Sequence, residues 1–220
     1  MPLTNLHQQL IERYAAGGHP TEQAVDGYIV DVVRDGEMIE VQTTSLGAIR
    51  HKVQQLATKH RVRVVWPLPA RKYIVRQRPE EEPYSRRRSP GRWGIMELFR
   101  DLPNLVAILP NPNVALEVVL TEEEELRVED GQGSWRRSGR WSRGDRRLLR
   151  VVRRREFRTA GDFAALLPKR LRDPFTCRDL ARAIKRPLWL AQKVAYCLKH
   201  VGAIRRVGKR RNAYLYERAA

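Results

Sequence analysis

The chain has 220 residues, with 43 Lys and Arg against 25 Asp and Glu, and a net charge of +18. That length suffices for one large domain or two small ones without disulfides or a structural metal, and the charge, carried by 35 Arg and 8 Lys, points to a polyanionic partner, nucleic acid before an anionic membrane. No apolar run reaches the roughly 18 residues of a membrane span, and the N-terminus lacks signal-peptide regions, so a cytoplasmic protein is expected.

The first element is a helix over Leu3–Ala16, with Leu6, Leu10, Ile11 and Tyr14 on one side and Glu12 near the other. Residues Val25–Thr43 then read as a hairpin. Val30, Val32 and Val33 lie in its first strand, and Ile39 and Val41 in its second. Asp35-Gly36 forms the turn, because both positions tolerate positive φ. If Arg34 pairs with Glu37, Val33 faces Met38 and Asp31 faces Glu40. One face then carries Tyr28, Val30, Val32, Ile39 and Val41, and the other Asp31, Glu40 and Gln42. Two carboxylates opposed across strands repel, and a hard divalent cation between them would remove that cost. The plainer alternative is an amphipathic hairpin with a solvated acidic face.

A second helix follows over Leu46–His60, with Leu46, Ile49, Val53 and Leu56 at helical spacing, and then a strand over Val62–Trp66. After a Pro-Leu-Pro turn, Arg71–Arg78 reads as a further strand at a sheet edge. The polar, proline-rich stretch 79–92 reads as a linker and Trp93–Leu102 as a short helix. Val114–Leu120 is a strand that Glu122–Val128 continues or follows, with Glu122–Glu125 a solvated face and a metal role the lesser alternative.

Gly133–Arg158 holds eleven arginines against two acids, half of the net charge. Its first part is glycine- and serine-rich with Trp135 and Trp141 embedded, and Leu148–Phe157 reads as a strand. Arg136, Arg137, Arg140 and Arg143 could neutralise phosphates while Trp141 stacks on unpaired bases. The alternative is a loop whose tryptophans pack back on the domain.

Beyond residue 158, Asp162–Leu167 suggests a helix closed by Pro168. Thr176 caps another, with Asp179 three residues on. Pro187 starts a third helix, Leu188–His200, and Gly202 ends it. Ile204–Val207 and Ala213–Tyr216 are strands around a basic turn. Cys177 and Cys197 lack zinc-site spacing and read as small core residues. The five histidines are scattered and make no ligand set.

The order helix, hairpin, helix, strand, with Glu-x-Gln on the second strand, resembles the PD-(D/E)xK nuclease superfamily over residues 1–78. The resemblance implies an α/β restriction-endonuclease-like core of α-β-β-α-β order with a mixed sheet, and a Mg²⁺- or Mn²⁺-dependent DNA nuclease. It places metal ligands at Asp31 and Glu40, with Asp26 as rival to Asp31 and Glu12 as a further ligand. Gln42 stands where the family usually has Lys, a change that leaves open an inactive descendant that only binds DNA. In some members a lysine arrives from the next helix, and Lys52 is the candidate. Many such nucleases dimerise, so a homodimer is possible.

Residues 160–218 resemble a winged helix, which implies DNA contacts from Trp189, Gln192, Lys193 and Lys199 on its second helix and Lys209, Arg210 and Arg211 on its wing; a protein–protein module is the alternative use of that fold. The expected organisation is a nuclease-like domain over 1–158 (core 1–78, linker 79–92, basic extension 93–158) and a winged helix over 159–220. An RNA-processing factor is a third class of function.

Overall fold

The structure is a computed structural model that describes residues 5–79, 81–91, 94–131 and 141–219, with Arg143 described by its backbone alone. The N-terminal elements are α1 (Leu6–Tyr14), β1 (Thr21–Val25), β2 (Tyr28–Arg34), β3 (Glu37–Val41), α2 (Arg50–Leu56), β4 (Arg61–Gln77) and β5 (Ser85–Arg88). Three 3-10 turns span Ile95–Arg100, Leu102–Asn104 and Val106–Ile108. They lead to β6 (Val114–Val128), β7 (Ser142–Phe157), α3 (Ala160–Ala164), α4 (Cys177–Ile184), α5 (Leu188–His200), β8 (Ile204–Arg210) and β9 (Ala213–Arg218).

Seven strands form one mixed sheet in the order β1-β2-β3-β4-β6-β7, with β5 added beside the far half of β4. The α/β class holds. The predicted α-β-β-α-β order gains one strand, because Asp26-Gly27 is a second hairpin turn like Asp35-Gly36. All four residues have positive φ, from +47° to +83°, as a two-residue turn of this hand requires. The hairpin register is as predicted for Val32–Ile39, Val33–Met38 and Arg34–Glu37, but the single apolar face is not: Tyr28 and Val30 pack in the core on the α2 side, and Val32, Ile39 and Val41 in the core on the α1 side.

The sheet is covered on both faces. On one, Leu6, Leu10, Ile11 and Tyr14 of α1 pack on Val32, Ile39, Val41, Val65 and Val119. On the other, α2, the 3-10 turns and the C-terminal helices share a single core, from Met38, Val53 and Val62 through Leu98 and Leu102 to Phe163, Leu180, Leu190 and Leu198. No break in packing falls at residue 158, since the rings of Phe157 and Phe163 stack with centroids 4.8 Å apart. Cys197 lies in this core and Cys177 is half-buried.

Three expectations need correction. The Pro-Leu-Pro turn and edge strand are instead one strand of 17 residues, interior to the sheet and pairing β6 in parallel from Val62 to Gln77. Pro67 and Pro69 fit because β3 pairing ends at Val65 and β5 pairing begins at Tyr73, so their missing N–H groups face a gap between partners. The linker contains β5, which adds Arg86 to this ribbon. Lastly, Glu122–Glu125 are buried rather than solvated.

Each of these glutamates meets a cation from a neighbouring strand. Arg71 and Arg150 hold Glu122 at 2.9 and 2.8 Å, Arg86 and Arg147 hold Glu124 at 2.6 Å each, and Lys72 lies 3.0 Å from Glu125. Burial pushes the Glu124 and Glu125 carboxyls up, yet these partners bring both below their ordinary values. Much of the arginine in the basic stretch is therefore neutralised within the sheet, which a reading of local charge could not show.

Candidate active site

Asp31 lies in the middle of β2, one residue past the last β2–β3 pair, Val32–Ile39, so the expected Asp31–Glu40 strand pairing is not part of the ladder. Its Oδ2 accepts a 2.7 Å hydrogen bond from the Val41 N–H, so its carboxylate takes a strand donor beside Glu40. Glu40 is 3% exposed. Its Oε2 sits 2.6 Å from Lys52 Nζ of α2, and its Oε1 is buried with no hydrogen-bond partner. Lys52 also donates to the Ile29 carbonyl. Burial, together with the nearby Asp31 charge, outweighs Lys52 and pushes the Glu40 carboxyl up to about 7.

His7, from the first turn of α1, approaches from the opposite helix, with Nε2 3.6 Å from Asp31 Oδ2. The Asp31 contact raises its pKa despite partial burial. Asn5 caps this helix by accepting from Gln8 N at 3.0 Å and so fixes the turn that carries His7. Beside His7 opens a cleft of about 510 Å³, lined by Asn5, Thr43, Thr44, Lys72, Asp145 and Arg146 among others. The Arg146 guanidinium donates to the Thr43 carbonyl and closes one wall.

The structure thus brings Asp31, Glu40 and Lys52 together and adds His7. Asp26 does not join them. It is a turn residue at the far end of β2, 3.1 Å from His60 and 3.4 Å from Lys59. Glu12 is exposed on α1, five residues and about 140° around the helix from His7. The Gln42 side chain turns away, its Oε1 accepting from Thr44 N at 3.1 Å and Thr44 Oγ1 at 3.0 Å. No sequence signal marked His7, because its role depends on a contact across 24 positions.

Among the described residues, no three His, Cys, Asp or Glu side chains gather as a metal-binding set. The partnerless Glu40 Oε1 and the mutual repulsion of two carboxylates nevertheless suit a cation of the Mg²⁺ type. Such ions are held by one or two carboxylates, with waters and substrate phosphate oxygens completing the shell.

Of the predicted DNA contacts, Arg136, Arg137 and Arg140 lie outside the described residues, as does the side chain of Arg143. Trp141 is half-buried, its ring 6.4 Å from that of Tyr84 and under the Arg76 guanidinium at 4.8 Å. The strand it precedes begins at Ser142, earlier than the predicted Leu148. On α5, Gln192 is exposed. Lys193 Nζ instead donates to the Arg100 carbonyl at 2.7 Å. On the β8–β9 hairpin, Arg210 pairs with Asp179 at 2.8 Å, Lys209 lies over the Tyr214 ring at 5.3 Å and Arg211 is an exposed turn residue.

A sheet of this order, with two acids and a lysine on adjoining elements, defines a mixed α/β protein with a buried charged centre. Residues 4–158 match a family model described as a domain of unknown function, DUF8091, and the chain belongs to that family. Over 183 residues it is 33% identical to an uncharacterized protein of Treponema pallidum (strain Nichols), covering 81% of this chain and 71% of that protein. The aligned length exceeds 158 residues, so the likeness runs into the C-terminal helices. No solved structure matches the chain. Among the described residues, no helix is long and apolar enough to cross a membrane.

Proposed function

We propose that the protein is a divalent-metal-dependent nuclease of PD-(D/E)xK type acting on DNA. The observation that carries this reading is the meeting of Asp31, Glu40 and Lys52 on β2, β3 and α2, with one Glu40 oxygen buried and partnerless. Asp31 and Glu40 would hold Mg²⁺ or Mn²⁺. When bound, the cation would polarise a phosphoryl oxygen and lower the pKa of an attacking water. Lys52 takes the part that the family's third motif residue usually plays, orienting that water and countering developing negative charge. Gln42, turned toward Thr44, has no share in it. His7 holds Asp31 in place from the α1 side. The cleft beside it, with Lys72 and Arg146 in its walls, would receive the phosphate backbone.

A second reading is a non-catalytic DNA-binding protein on the same fold. The 2.6 Å Lys52–Glu40 pair favours it, because an internal ammonium already answers one of the two carboxylates. The two readings separate when purified protein meets labelled duplex, single-stranded, flap and junction DNA, and matching RNA, with Mg²⁺ or Mn²⁺. The nuclease reading predicts cleavage of at least one DNA, abolished in Glu40→Gln. Tight binding without cleavage of any substrate would establish the second. Cleavage of RNA alone would replace DNA with RNA as the substrate.

A further inference from the structure

The α5 face that a winged helix would use on DNA is partly covered. Lys193 donates to the Arg100 carbonyl, and the Arg100 guanidinium lies 4.8 Å above the Trp189 ring. A different surface of the same segment is open and strongly positive. A wide, shallow depression of about 450 Å³ lies between the loop before α4, α4 itself and β8, and Arg170, Arg172, Arg182 and Arg210 line it against one acid, Asp179.

That acid is already engaged. Its Oδ2 accepts from Thr176 N at 3.0 Å, Thr176 Oγ1 at 2.8 Å and Arg210 Nη2 at 2.8 Å. Arg170 donates to the Ala183 carbonyl at the end of α4. Arg172 and Arg182 are exposed and, among the described residues, have no acidic partner within ion-pair distance.

The pocket walls are fixed. Arg218 ties the preceding loop by bonds of 3.0 Å to the Pro168 carbonyl, the Leu171 carbonyl and Asp173 Oδ1. Phe175 is buried and bridges Tyr216 through backbone bonds of 2.8 Å. Arg170 and Arg210 are held by the Ala183 carbonyl and by Asp179. The exposed Arg172 and Arg182 line the same pocket and supply further donors for a group with several anionic oxygens.

We infer that this arginine pocket is a phosphate-binding site, in which Arg172 and Arg182 grip the anion while Arg170 and Arg210 are held at its sides. The phosphate can belong to a nucleic-acid backbone or to a free phosphorylated molecule. The site stands without any chemistry at Glu40, so the failure of cleavage assays leaves it untouched.

The test uses the full chain and its Arg172→Ala/Arg182→Ala variant, with circular dichroism to confirm an unchanged fold. Duplex binding is followed by anisotropy from 50 to 200 mM salt, and inorganic phosphate by ³¹P line broadening. The expected result is broadening with the wild type and none with the variant. If the source is a nucleic-acid backbone, duplex affinity also falls about tenfold and the salt slope by about 1. Lost broadening with unchanged duplex binding assigns the pocket to a free phosphorylated ligand. Equal broadening and equal duplex binding in both proteins would overturn the inference.

Discussion

Lys52 Nζ and Glu40 Oε2 lie 2.6 Å apart, one on α2 and the other on β3, and Glu40 has almost no access to solvent. The pair joins the helix to the hairpin at the point where Asp31 adds a second carboxylate. Removing one partner of a buried pair leaves an uncompensated charge. Lys52→Met is therefore expected to destabilise the protein at pH 8 by roughly 3 kcal/mol in urea titration. The loss should shrink at pH 5.5, where Glu40 holds its proton, and Lys52→Met/Glu40→Gln should recover most of it. An equal loss at both pH values would show that Lys52 acts through packing alone.

The Glu40 carboxyl itself gives a second prediction. Its pKa in the folded chain, about 7, lies above its ordinary value of 4.5 because of burial and the Asp31 charge. The folded state then binds the proton more tightly than the unfolded chain. Its contribution to stability is greatest below pH 4.5, falls as pH climbs to about 7, and is flat beyond. A ¹³C-carboxyl titration should place the midpoint near 7 and move it down in Asp31→Asn. A midpoint at an ordinary glutamate value, indifferent to Asp31→Asn, would show that the two acids do not share a site.

Trp141, the candidate for base stacking, is half-buried and its ring contacts Tyr84 and Arg76 on the β4–β5 ribbon, a structural role that a substitution separates from base stacking. Trp141→Ala should lower stability by about 1–2 kcal/mol through lost ring and cation–π contacts. Single-strand affinity, read by anisotropy, should stay within about twofold. A large drop in affinity at unchanged stability would return Trp141 to the nucleic-acid interface.

What the sequence made legible were features set by local chemistry. Asp35-Gly36 set the hairpin register for the three pairs nearest the turn, from Arg34–Glu37 to Val32–Ile39, and no further. Thr176 and Asp179 announced the capping box that opens α4, and Pro187 and Gly202 bracket α5 as read. The same local logic goes astray at Asp26, the rival metal ligand, which with Gly27 forms a second Asp-Gly turn. Features set by distant partners stayed hidden. The Glu122–Glu125 run looks solvated until Arg71, Arg86, Arg147 and Arg150 arrive from other strands. His7 looks isolated until α1 folds over Asp31. Lys52 was visible as a candidate only through a family resemblance, since no spacing rule joins a helix to a strand twelve residues away.

The central claim is that Asp31 and Glu40 share a divalent cation. The most direct measurement is a crystal of the protein soaked in Mn²⁺, read by anomalous diffraction. The account predicts a strong peak between the two carboxyl groups, contacting Glu40 Oε1, with Lys52 Nζ shifted from Glu40 toward the water or phosphate beside the ion. A map with no peak there at millimolar Mn²⁺, and Lys52 still seated on Glu40, would contradict it.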